Sequence, residues 1–262
     1  MITIVSDIDA SLERFWIPMR PGQPIERAFP GLLENTEGGS GLTWPAHYMR
    51  WLLCWIWLKW HQCKDLRLIR NEILPIIERG ISICGLEVTT GMWEEHDNWL
   101  LSAAVLSGDQ DLARRAAEAV RCADVKSDKY QYYPALTGVL KHHVLGDLSK
   151  AEEQFAILSR FTPSKIFWWA RPGLIKSFMA GNAKLLKQQL KRSEDIHWEI
   201  ARKEKRVIKQ DTDTVWLSLR KKHDHFFWPW IEGVVERLAI QSGVRITQDS
   251  FWLPLEFLSL SL

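Results

Sequence analysis

Paired cysteines are missing from this chain. Its four cysteines, Cys54, Cys63, Cys84 and Cys122, stand at irregular spacing and form no CxxC pair. That argues against a zinc or redox motif, so no metal ligand is expected. A long apolar run is missing as well. The most hydrophobic stretch, Trp51 to Leu58, is eight residues between Arg50 and Lys59, against the roughly 20 a membrane helix needs. A buried helix is expected there, and no membrane partner. An excess of one charge is also lacking, since 34 basic residues balance 32 acidic ones to a net +2. Neither a polycation for nucleic acid nor an acidic mimic of it is implied. The opening MITIVSDIDASLERFW has no basic region followed by an apolar one. No secretory signal is therefore expected, and a reducing cytoplasm fits the unpaired thiols. No glycine-rich phosphate loop, GxSxG elbow or HExxH occurs, so neither catalytic residues nor a cofactor site are expected.

What is present is helical. Residues 1–42 hold many prolines and glycines and little periodicity, and read as an irregular N-terminal arm. Residues 43–262 read as a single α-helical domain. Thr43 with Pro45 marks a helix start. Trp44, Tyr48, Trp51, Leu52 and Trp55 follow at helical spacing, with Leu53, Ile56, Trp57 and Trp60 covering the other side. A helix apolar nearly all round belongs at the centre of a fold. Asp65 is placed to cap the next helix, which contains Pro75, where a kink is expected, and ends near Gly85.

From there one arrangement recurs. An apolar helix ends in glycine, Asp or Asn follows, and an amphipathic helix begins. The instances are Ser107-Gly108-Asp109, Leu145-Gly146-Asp147 and Ala180-Gly181-Asn182, with glycines 35 to 38 residues apart. Glycine takes the left-handed C-cap conformation and the side chain after it caps the next helix. The period suits helical-hairpin repeats. The expected fold is all-α: antiparallel helical hairpins in a degenerate tetratricopeptide-like array or bundle. A short extended segment, Val244 to Thr247, is expected near the C-terminus. Fifteen tryptophans read as packing residues interleaved with aliphatics rather than as a stacking platform.

Candidate chemistry is thin. His223 and His225 form an HxH pair and His142 and His143 are adjacent, but no third ligand stands at motif spacing. The His96-Asp97 and His223-Asp224 dipeptides invite comparison with helical HD-type metal phosphohydrolases. Such an enzyme needs a further His, for which His47 or His61 is available, and a further Asp, for which Asp124 is. Cys63 beside His61 is read as an ordinary thiol. Asp211 and Asp213 are read as loop or cap residues, and the basic run from Lys184 to Lys222 as a solvated face.

The segment from His223 to Leu258 carries the most specific pattern. Pro229 precedes a helix containing Glu232 and Leu238-Ala239. Gly243, Ile246, Asp249-Ser250, Phe251 or Trp252, Leu253-Pro254 and Leu258 follow. This ending resembles that of bacterial polymorphic-toxin immunity proteins, the all-helical immunity protein 49 family above all. The resemblance covers about 30 residues well and the remainder loosely. Within it, Gly243 suits a helix C-cap, Asp249 or Ser250 a turn or cap, and Pro254 the start of a last turn. The resemblance implies a cytoplasmic protein that binds one cognate protein toxin without turnover. Were the toxin a nuclease, its basic cleft would meet acidic residues, for which Glu94, Glu95 and Asp97, with Asp109 and Asp111 across the turn, are the expected contacts. Two alternatives stay open at this point: a helical-repeat adaptor or chaperone with another partner, and the HD-type phosphohydrolase.

Overall fold

The computed structural model describes residues 52–53, 55–57, 59–61, 63–84, 93–121, 132–160, 170–208, 230–247, 249–250, 253–260, with backbone alone at 83, 93–95, 170–172 and 197–208. The expected arm over residues 1–42, the Thr43 helix start, Gly85 and Pro229 lie outside these. Most of the described residues are helical, with no strand among them. The helices are α1 (Leu66–Ile83), α2 (Trp93–Leu106), α3 (Gln110–Ala119), α4 (Tyr132–Val144), α5 (Leu148–Leu158), α6 (Ala170–Met179), α7 (Ala183–Ile208), α8 (Trp230–Gln241) and α9 (Leu255–Ser259). A preceding helical segment occupies the described positions between 52 and 63.

Local chemistry explains the helix ends. Asp65 caps α1, its carboxylate accepting the Leu68 amide at 3.0 Å, and the helix runs through Pro75 to Ile83. The three glycine turns share one construction. Gly108, Gly146 and Gly181 have φ of +80°, +77° and +59°, a conformation in which a Cβ would meet the following carbonyl. The next side chain then caps α3, α5 or α7: Asp109 accepts from Leu112 at 3.0 Å, Asp147 from Lys150 at 3.2 Å, Asn182 from Leu185 at 3.0 Å. At two turns the capping residue's own amide reaches back five positions, Asp147 to the His142 carbonyl and Asn182 to that of Ser177. At the first turn a hydroxyl takes over this link. Ser107 Oγ accepts from the Asp109 amide at 3.2 Å and donates to the Ala104 carbonyl at 2.6 Å.

Each turn folds a helix back on its predecessor, so α2 packs on α3, α4 on α5 and α6 on α7. Two helices lie at the centre. All residues from His96 to Gly108 are buried, as are all from Trp230 to Ala239. Accordingly α2 touches α1, α3, α4 and α8, while α8 touches α2, α6, α7 and α9. The described part of the segment between 52 and 63 joins the same core through Leu52, Leu53, Ile56, Trp57 and Trp60. Every tryptophan whose side chain is described (Trp55, Trp57, Trp60, Trp99, Trp230) is buried, which is the packing role expected of them.

The C-terminal pattern works as a closure. Gly243 ends α8 at φ +83°, with its amide bonded to the Ile240 carbonyl and that of Val244 to Ala239. Val244 to Thr247 then run as non-helical backbone without a sheet partner among the described residues. Asp249 accepts from the Leu255 amide at 2.8 Å and Ser250 from that of Leu253 at 3.0 Å. Pro254 stands at the N-cap of α9, and Leu253, Phe257 and Leu258 enter the core.

Candidate functional site

A helix buried on all sides has nowhere to put polar side chains except against one another or against free backbone groups. Both central helices carry such residues. In α8 these are Glu232, Glu236 and Arg237, each no more than 2 % exposed. In α2 they include His96, Asp97, Asn98 and Ser102.

Arg237 lies against helix C-terminal ends, where backbone carbonyls lack intrahelical donors and partial negative charge collects. It donates to the Phe257 carbonyl in α9 and, at 3.5 Å, to that of Val105 in α2. A Cβ built on Gly108 would stand 2.8 Å from an Arg237 terminal nitrogen and 2.9 Å from Leu66. Bare backbone at that turn is therefore a condition of the guanidinium's position. Glu236 is held differently. Burial, and then the charges of Glu194 and Asp249, push its carboxyl up to about 8.

The second polar group has the richer donor chemistry. Cys84 is the C-cap of α1, with its amide bonded to the Ile81 carbonyl at 3.1 Å. His96 and Asp97 lie near the start of α2, and Arg121 lies just beyond α3. Because the turn at Asp109 is equidistant in sequence from Asp97 and Arg121, the α2–α3 hairpin returns Arg121 to Asp97. The Arg121 amide donates to Asp97 Oδ2 at 3.0 Å. The other oxygen, Oδ1, meets the Cys84 thiol at 3.7 Å and His96 Nδ1 at 3.4 Å. His96 and Asp97 are 1 % and 4 % exposed; Cys84 is half-buried.

A sulfur, an imidazole nitrogen and a carboxylate oxygen thus all lie within 4.8 Å of one another. The order of contacts is not that of a thiol nucleophile, which needs the imidazole next to the sulfur. Here the carboxylate is the group that meets both. Burial above all, then the Asp97 charge and the hydrogen bond donated to it, raise the Cys84 thiol well above its ordinary range. At neutral pH it is a protonated donor. Among the described residues these three are the ones grouped so as to hold a metal ion. Sequence spacing had suggested none, because Cys84 stands 12 positions from His96 and only the α1–α2 packing brings them together.

Of the acidic residues expected to meet a partner, Asp97 and Asp109 make contacts within the chain. Asp97 is turned inward, as above. Asp109 caps α3 and is paired with Arg70 of α1 at 2.7 Å. Asp97 and Asp109 stand toward opposite ends of α2, roughly 18 Å apart along its axis at 1.5 Å per residue. Asp111 is exposed in the first turn of α3. Glu94 and Glu95 are in the first turn of α2, with their side chains outside the description.

Of the histidines weighed for an HD-type site, His61 is not part of the cluster with His96 and Asp97. His47, Asp124, the HxH pair at His223 and His225, and the Asp211–Asp213 pair lie outside the described residues. On α4, His142 is buried and His143 packs on the Phe178 ring at 4.3 Å. No helix among the described residues is long and apolar enough to cross a membrane. Compared with protein-family models, with curated proteins and with solved structures, the chain gives no match in any of the three.

Proposed function

We propose that this chain is an immunity protein, a stoichiometric inhibitor of a cognate bacterial toxin acting in the cytoplasm of the cell that makes it. The observation that carries the reading is the C-terminal pattern from Glu232 to Leu258, which resembles the ending of immunity protein 49 members. An all-helical body agrees with it. Helical hairpins suit such a task because their exposed faces vary freely while the buried faces hold the fold. Inhibition of this kind requires a complementary surface and no turnover.

For a nuclease toxin the docking surface is an acidic one, since the substrate cleft it must block is basic. Within the expected set, Glu94 and Glu95 at the start of α2 and Asp111 in the first turn of α3 are the residues left to such a surface. Asp97 and Asp109 are committed to internal contacts.

The test is co-expression with the toxin encoded beside this gene. Protection of the host and a 1:1 complex on size-exclusion chromatography are expected. A chain that neither protects nor binds that toxin, yet holds another protein, would transfer the reading to a helical adaptor. Charge reversal at Glu94 and Glu95 is expected to slow association and flatten its salt dependence. Unchanged affinity at both low and high salt would remove those residues from the interface.

A further inference from the structure

We infer that Cys84, His96 and Asp97 form a binding site for a divalent transition metal ion of the zinc class. The proposal does not depend on the inhibitor reading.

The donor set is the first argument. Thiolate, imidazole and carboxylate are the three protein ligands zinc takes most readily, at about 2.3 Å for sulfur and about 2.0–2.2 Å for nitrogen and oxygen. Tetrahedral coordination at those bond lengths separates neighbouring ligand atoms by roughly 3.3–3.6 Å. The Asp97 Oδ1 to His96 Nδ1 and Asp97 Oδ1 to Cys84 Sγ distances of 3.4 and 3.7 Å are already near that spacing. The sulfur and the imidazole nitrogen, within 4.8 Å of each other, would close toward that spacing on binding.

The supporting shell is the second argument. Metal-ligating carboxylates are held by a further hydrogen bond to the oxygen that does not ligate. Asp97 has this in the Arg121 amide on Oδ2, which leaves Oδ1 toward the other two donors. The ligands also come from separate helix ends, the C-cap of α1 and the start of α2, which the end of α3 buttresses. An ion there would add a coordinate link to the hydrogen bonds that already join these elements at Asp97. No other described Cys, His, Asp or Glu joins the three, so water or another donor completes the tetrahedron. On binding, the Cys84 S–H bond breaks, sulfur keeps the electron pair and bonds the metal, and the proton passes to solvent.

The experiment uses the full chain, purified without chelator and then stripped. Zinc chloride is titrated against a colorimetric competitor, and cobalt(II) chloride is followed by absorption. One zinc per chain, a thiolate-to-cobalt charge-transfer band and a higher melting temperature with zinc are expected. Cys84→Ser should remove the band and weaken zinc binding by more than about tenfold. Cys63→Ser, altering a thiol outside the cluster, should change neither. If Cys84→Ser does not fold, His96→Gln serves instead, with the band kept but its position and intensity changed. Absence of stoichiometric zinc and cobalt binding by the wild-type chain would overturn the site. So would loss of the cobalt band in Cys63→Ser alone.

Discussion

The Arg237 guanidinium donates to the backbone carbonyl of Phe257 and lies over the ring of the same residue, 4.9 Å from its centroid. One buried cation thus holds α9 by both its backbone and its side chain. Replacing Arg237 by Ala leaves two carbonyls without that donor and opens a cavity beneath Phe257. A loss of about 3–5 kcal/mol is expected, measured by urea denaturation. Arg237→Met restores apolar volume without a buried charge and is expected to cost less. A change under about 0.5 kcal/mol for Arg237→Ala, the usual range for surface sites, would mean that the guanidinium does not hold the closure.

The glycine turns separate two requirements that sequence alone cannot. At Gly146 and Gly181 nothing lies within 4 Å of an added Cβ, so alanine meets only the left-handed backbone and is expected to cost about 1–2 kcal/mol. At Gly108 the same methyl also collides with Arg237 and Leu66, adding about 1–3 kcal/mol of overpacking. Denaturation midpoints of the three alanine variants should fall in that order. Combining Gly108→Ala with Arg237→Ala should be markedly less than additive.

Asp109 has two roles that separate by substitution and by pH. Burial works against its charge, but the Leu112 amide and the Arg70 guanidinium outweigh it and hold the carboxyl below its ordinary value. A depressed folded value means that the stabilisation is complete above the unfolded pKa of about 3.9 and is lost as pH falls through the folded one. Asp109→Asn keeps a capping oxygen and loses the ion pair, whereas Asp109→Ala loses both, the cap being worth about 1 kcal/mol. Melting temperatures of wild type and Asp109→Asn should differ at pH 6 and converge in acid.

Glu236 has the opposite sign. Its folded value of about 8 lies above the unfolded one of about 4.3, so the protonated carboxyl favours the fold. That contribution is fully present below pH 4.3 and disappears as pH rises through about 8. Glu236→Gln, a neutral isostere, is expected to raise the melting temperature at pH 8 and to have little effect near pH 4. A Glu236→Gln variant no more stable than wild type at pH 8 would show that the carboxylate is accommodated in its charged form.

What the sequence made legible was local. The caps at Asp65, Asp109, Asp147 and Asn182, the left-handed glycines and the Asp249–Ser250–Pro254 closure each depend on residues within a few positions. Their patterns therefore survive without the fold. The relations that span the chain did not show. Arg237 sits 132 residues from Val105, and no residue near it in the sequence announces that contact. Asp97 beside Glu94 and Glu95 reads as part of an exposed acidic group. Only the burial of α2 against four other helices turns it inward toward Cys84. Phe257 gave no signal beyond hydrophobicity, yet it is fully buried and carries the contact on which α9 rests.

The meeting of Leu66, Val105, Gly108, Arg237 and Phe257 also bears on the order in which the molecule assembles. Chains are made from the N-terminal side, and contacts between residues far apart in sequence must await the later partner. The helices of the α2–α3 and α4–α5 pairs are neighbours in sequence and can pack on one another as they are made. The groove beside Gly108, by contrast, stays without its cation and its aromatic lid until residues 237 and 257 have been added. During synthesis α2 therefore stays partly uncovered until α8 has been made. An early intermediate of this protein should consist of paired helices around an open seam, and its last cooperative step should be the seating of α9.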